Sequence, residues 1–330
     1  MVRPMKRLIT LLICFSLIAG VTIKFDTITN YVEAYFERNP KILVEEKNKY
    51  YKDINYQFVS NTDNFTPYNY QELLNIIYTI LNSGYDTFTF YCPSEYEDCI
   101  NDIANISKQE NDDILTTIGN YISPFNNFTS LKILYDTAGE ITLKIEHLYS
   151  DDYINKVNDK IDELWNKLIT EDMTDEDIII TFHDYIINNT KYDVLYENEL
   201  EEYIRTHTDS EGNIINELPI EKRTTYDSSR AIGPLFQGYA ICSGYTDIMA
   251  IILDRLKLPN FKVASDTHVW NVVYIKDGWK HLDLTWDDPV SEDRTIDTLL
   301  HKFYLIDTET LEEFKIADHN YDKSIYLEIK

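Results

Sequence analysis

Between Gly233 and Pro289 the hydrophobic spacing changes period once, and this change constrains the fold more than any other feature of the chain. Gly233, Pro234, Gly238 and Gly244 punctuate the approach to Cys242. Ile248, Ile251, Ile252, Leu253 and Leu256 then recur at helical spacing as far as Leu258-Pro259. Three strand-like runs follow: Phe261–Ala264, His268–Ile275 and Trp279–Thr285. Asp277-Gly278, between the last two, is a tight hairpin signal.

Cys242 falls at the start of the helical run. A helix N-terminus favours an anion, and only the thiolate form of cysteine attacks a carbonyl. His268 heads one hairpin strand and Asp283 lies on the return strand. With Asp277-Gly278 as the loop, Tyr274–Lys276 pair near Trp279-Lys280, and Asp283 falls several residues short of His268. A twist or a β-bulge is then expected to bring them together. Cys, His and Asp so arranged suit nucleophilic catalysis, with Cys242 as nucleophile, His268 as base and Asp283 as the group that orients the base. Cys242 alone reads as a buried, inert cysteine, and the constellation is what favours chemistry. Gln237 is a candidate oxyanion donor beside the Cys242 N–H, and Trp270 and Trp286 are candidates to wall off water. His281 sits two residues before Asp283, on a face that spacing leaves ambiguous, and receives no role. Asp287-Asp288-Pro289 reads as a turn. No spacing of His, Cys and carboxylates matches a metal-ligand pattern, so neither a metal nor a cofactor is expected.

These blocks resemble the core of bacterial transglutaminase-like proteins. The matching pieces are Gly238–Cys242, Cys242-Ser-Gly-Tyr245, His268-Val-Trp-Asn271, Asp277-Gly-Trp279 and Asp283-Leu-Thr-Trp-Asp-Asp-Pro289. Tyr185–Asp193 (YIINNTKYD) is similar to the helix that precedes that core. The resemblance covers about residues 150–310. It implies an α+β, papain-like fold, in which a helix bearing the cysteine packs on an antiparallel sheet bearing the histidine and aspartate. It also implies acyl transfer or hydrolysis on amide bonds of a protein or peptide through a thioester. Ser228-Ser229-Arg230-Ala231 and Thr246 depart from the family pattern, and neither departure removes a member of the triad. A module that keeps the fold without turnover is the competing expectation.

A chain of 330 residues predicts two domains. A small α+β unit is expected over 26–149 and the transglutaminase-like unit over 150–330. In the first, Tyr70–Asn82 has helical spacing that stops near Gly84, Thr87–Cys92 alternates like a strand, and Tyr96–Ile106 and Ile114–Ile122 look helical. Leu131–Asp136 and Ile141–His147 read as a hairpin. In the second, Asp151–Leu168 is amphipathic, and Thr174 with Asp177 opens a further helix in the manner of a capping box. His183 on that helix reads as structural, with nothing nearby to complete a site. Residues 195–225 read as a charged loop with a turn at Asp209–Asn213.

A formal net charge of −27 argues against nucleic acid as a partner. Arg3, Lys6 and Arg7 precede the apolar run Leu8–Ile23, so residues 1–25 read as an export signal or a retained membrane anchor. The expected location is extracellular or at the cell surface, with a wall-associated substrate one option and the membrane touched only by that segment. Cys14 lies in this run. Cys92 and Cys99 either pair or stay free, and Cys242 is left as a candidate reactive thiol.

Overall fold

A computed structural model describes residues 42–108, 112–207, 226–290 and 298–330. The apolar N-terminal run and the turn expected at 209–213 lie outside these residues. Among the described residues, no helix is long and apolar enough to cross a membrane.

The first unit begins irregularly and then forms helix α1 (Tyr70–Ser83). The Asn69 side chain caps this helix by accepting from the Glu72 N–H, and Gly84 ends it in the left-handed region at φ 71°. Strand β1 (Thr87–Tyr91), helices α2 (Cys99–Ile106) and α3 (Asp112–Gly119), and strands β2 (Phe128–Tyr135) and β3 (Glu140–His147) follow. The three strands form an antiparallel sheet in the order β1-β3-β2. Cys92 and Cys99 are joined in a disulfide that closes the turn between β1 and α2.

The second unit opens with α4 (Asp151–Leu168) and α5 (Asp175–Asn189). Thr174 and Asp177 form the expected capping box at the start of α5. The short strand β4 (Lys191–Tyr192) pairs in parallel with β5 (Tyr239–Ala240), so the end of α5 is tied to the approach to Cys242. Between them lies helix α6 (Val194–His207), where a charged loop was expected. Its many glutamates suit a solvated helix as well as a loop, and charge alone does not separate the two.

Helix α7 (Cys242–Arg255) carries the cysteine as its first residue and packs on an antiparallel sheet of β6 (Asn260–Ala264), β7 (Val269–Ile275) and β8 (Gly278–Leu282), in that order. The fold is therefore α+β, with a cysteine-bearing helix on an antiparallel sheet. Short helices α8 (Leu284–Asp287) and α9 (Thr308–Glu313) follow, and 3-10 turns at Ala317–His319 and Leu327–Ile329 come after them.

Alternation along β7 sends neighbouring residues to opposite faces of this sheet. Trp270 and Val272 join Phe261 and Val263 in a core that also holds Leu73, Ile77, Phe90, Tyr121, Ile141 and Leu143 of the first unit. Val273, Ile275 and Leu282 pack instead with Ile161, Phe182, Ile186, Ile248 and Ile252. The sheet is thus buried on both sides. Polar ties reinforce the junction: Lys52 Nζ lies 2.9 Å from Asp254 and donates to the Asn260 carbonyl.

Candidate active site

Cys242 opens α7, and Ile241 before it has extended backbone. The Ile241 N–H donates to the Ser228 carbonyl at 2.9 Å, which fixes where the helix begins. Gly244 is required here, because a Cβ on it would meet that same Ser228 oxygen at 2.2 Å. Deeper in the helix, Asp247 accepts from Tyr149 Oη at 2.7 Å and pairs with Lys262 on β6. These buried bonds hold the helix against the sheet. Cys242 is half-buried and is the free thiol among the described residues.

The hairpin turn differs from the expected one. Lys276 and Asp277 both have positive φ, 50° and 65°, and Gly278 already pairs with Ile275. The loop is therefore Lys276-Asp277, one residue earlier than Asp277-Gly278, with both central residues left-handed as a two-residue hairpin of this twist requires. The β7–β8 register runs without interruption from Ile275↔Gly278 to Asn271↔Leu282. Continuing it sets Asp283 opposite Trp270, two residues along from His268 and on the same face. Diagonal neighbours on one face are within reach of long side chains, so no bulge is needed.

His268 Nε2 lies 2.7 Å from Asp283 Oδ2, with both side chains almost fully buried. Cys242 is its other electrostatic neighbour, and the sulfur also favours the imidazolium. Burial opposes the imidazolium, but Asp283 and then Cys242 outweigh burial and raise His268 to about 10. Burial likewise works against the Asp283 carboxylate, yet the facing histidines hold it well below the usual range. Asp283 Oδ1 also accepts from the N–H groups of Thr285 and Trp286, capping α8. The structure thus pairs His268 directly with Asp283 and sets Cys242 within electrostatic reach of the ring.

The remaining expected residues fall at different places. Trp270 stacks on His268, with centroids 5.6 Å apart and planes inclined by 13°. Trp286 is half-buried and packs on His319 and Phe303. Gln237 uses its Oε1 to accept from the Asp227 N–H at 2.7 Å. His281 lies on the same face as Asp283. It accepts from Trp270 Nε1 at 2.9 Å, and burial lowers it to about 3, so it is a neutral anchor for the tryptophan.

Two residues at the site have no signal in local spacing. His319, 36 positions beyond Asp283, places Nε2 2.8 Å from the same Oδ2 that His268 uses, while its buried Nδ1 has no hydrogen-bond partner among the described residues. Tyr192, inside the YIINNTKYD stretch, is raised first by burial and next by the charge of Cys242, which marks it as a neighbour of the sulfur. The expectation that His183 lacks company does not hold, since Asp184, Asp287 and His301 surround it. His301 is distant in sequence and arrives through the C-terminal segment.

A cleft of about 530 Å³ is lined by Lys52, Asp254 and Arg255 among others. Arg255 ends α7, and a 14-residue helix puts it roughly 20 Å from Cys242. The lining of that cleft includes no cysteine, so the thiol lies at the other end of the helix.

No family model and no curated protein matches the chain. Among solved structures, one described as a TGase is similar over 50% of this chain and 46% of its own, at 15% identity and a TM-score of 0.33. Another, from Cytophaga hutchinsonii and provisionally described as a cysteine protease, is similar over 47% of this chain and 61% of its own, at 14% identity and a TM-score of 0.24. The matched region thus spans about half of one neighbour and three fifths of the other. The side-chain geometry, not these likenesses, carries the roles argued below.

Proposed function

We propose that this chain is an exported, transglutaminase-like cysteine enzyme that acts on amide bonds of proteins or peptides through Cys242, His268 and Asp283. The observation that carries this reading is the imidazole of His268, which meets the Asp283 carboxylate at 2.7 Å and is raised by that carboxylate and by the neighbouring Cys242 sulfur. The Cys242 thiolate attacks a glutamine side-chain or peptide carbonyl. The C–N bond then breaks, His268 gives its proton to the departing amine or ammonia, and a thioester remains. An incoming amine or water attacks the thioester and returns a proton to His268, and the C–S bond breaks to restore the thiolate. Asp283 keeps the ring oriented and supports its charge. The Cys242 N–H has no acceptor within its helix and can serve the oxyanion, with the Gln237 amide N–H as the side-chain candidate. Trp270, stacked on the imidazole, limits both its rotation and the access of water.

Export is supported by the Cys92–Cys99 disulfide, since such bonds persist in oxidising compartments, and by the basic and apolar residues at the N-terminus. A protein or peptide at the cell surface, wall-associated or not, is the expected substrate class. Fractionation that recovers the protein only from the cytosol would sink the export reading.

The activity test incubates purified protein with glutamine peptides and amine donors, following ammonia release, cross-linking and peptide cleavage. Cys242→Ala should abolish turnover with the fold retained. Iodoacetamide should modify Cys242 and inactivate in parallel. An unreactive Cys242 and no turnover on any of these substrates would favour a silent scaffold instead.

A further inference from the structure

Among the described residues and outside the active site, the ligating side chains around His183 take no part in the chemistry of Cys242. His183 lies on α5, and its side chain is fully buried. Its Nδ1 is 2.9 Å from Asp184 Oδ1, and its Nε2 is 3.3 Å from Asp287 Oδ2. A neutral imidazole carries one N–H, so it can satisfy only one of these carboxylates. The other contact sets a nitrogen lone pair against a carboxylate oxygen unless a cation is present. His301 adds a third donor, with Nε2 2.7 Å from the same Asp184 Oδ1. The ligand atoms of His183, Asp184 and His301 all lie within 4.8 Å of one another. On the open side, Asp184 and His301 are 34% and 43% exposed, which leaves a path for an ion and room for water.

We propose that His183 Nδ1, Asp184 Oδ1 and His301 Nε2 bind one Zn²⁺, with water completing a tetrahedral shell. Two imidazoles and a carboxylate suit zinc. Tetrahedral bonds of about 2.0–2.2 Å set ligand atoms roughly 3.3–3.6 Å apart, so the two contacts at Asp184 Oδ1 must each open by about half an ångström or a little more. Asp287 supplies the outer partner. A ligating histidine usually gives its other N–H to a carboxylate, and Asp287 Oδ2 faces His183 Nε2 in that way. Asp287 Oδ1 also accepts from the N–H groups of Lys302 and Phe303, next to His301. The ion would clip α5 to the segment whose Phe303 carbonyl receives the Asp283 N–H at 3.1 Å. The zinc site stands independently of any turnover at Cys242.

The test titrates the purified, chelator-stripped full chain with Zn²⁺ by calorimetry and with Co²⁺ by visible absorption. A Cys242→Ser background removes the competing thiolate. One equivalent should bind, with a tetrahedral Co²⁺ spectrum that lacks sulfur charge transfer. Asp287→Asn should weaken binding about 10- to 100-fold, as loss of an outer partner does. His301→Ala should abolish the equivalent, and with it the rise in Tm that Zn²⁺ produces in the parent. His301 is half-exposed, so its removal should spare the fold. Asp184→Asn provides a second probe at a partly exposed position. No binding in the parent would overturn the proposal and leave a second proton on His183 as the cation. Binding unchanged in both His301→Ala and Asp184→Asn would overturn it too, as would binding that is lost on changing His268 or His319.

Discussion

Asp283 accepts from two imidazoles at one oxygen and from two backbone N–H groups at the other. Its charge is the largest opposing influence to burial at His268, so Asp283→Asn should lower kcat about 10³- to 10⁴-fold. A pH–rate profile should lose activity on the alkaline side near the value of about 10 held by His268, and Asp283→Asn should move that limb down. The same pair makes stability depend on pH. The value for His268 is raised on folding, so its contribution is complete below about 6.5 and is lost as pH rises through about 10. That for Asp283 is depressed, so its contribution is present above about 4 and is lost on further acidification. Urea unfolding at pH 7 and at pH 10.5 should therefore differ more in the parent than in Asp283→Asn. His319 acts through Asp283 as a positioning residue. His319→Ala should reduce kcat about tenfold with KM unchanged, the equivalent of one hydrogen bond to a charged group. His319→Gln, which keeps an N–H donor, should recover part of the loss.

At the scale of elements, the start of α7 decides where the sulfur points. Gly244→Ala drives a Cβ into the Ser228 carbonyl at 2.2 Å, and the backbone on either side must move. A loss of about 1–3 kcal/mol is expected, with slower alkylation of Cys242; a urea midpoint and an alkylation rate read the two effects. Helix α5 depends on its cap in a more ordinary way. Thr174→Ala should lower stability by about 1 kcal/mol in a thermal melt and leave the alkylation rate alone. The β7–β8 turn shows how a small error in a hairpin propagates. Moving the loop by one residue changes every cross-strand partner, and the register with Lys276-Asp277 at the turn sets Asp283 diagonal to His268.

At the scale of the molecule, the β6–β8 sheet belongs to two cores at once, and the first core runs through both units. Unfolding should then be a single cooperative transition by circular dichroism and tryptophan fluorescence alike. Two separated transitions would contradict a shared core. The buried Lys52–Asp254 pair joins the irregular N-terminal segment to the end of α7. Lys52→Met leaves Asp254 without its cation and should lower stability by about 3 kcal/mol across the whole chain.

Local interactions made much of this protein readable in advance. The Thr174 cap, the stop at Gly84, the span Asp151–Leu168 and the strands after Cys242 all follow from period, cap and turn chemistry within a few residues. The composition of α6 did not separate helix from charged loop, because glutamate-rich sequence is compatible with both. Local spacing carries no information about partners brought together by chain reversal. His319 reaches Asp283 across 36 residues, and His301 reaches Asp184 across 117. Both meetings depend on how the C-terminal segment docks against the sheet. That docking is decided by burying Phe303, Leu311 and Ile329 in a core assembled from distant parts of the chain, and only the tertiary structure contains it.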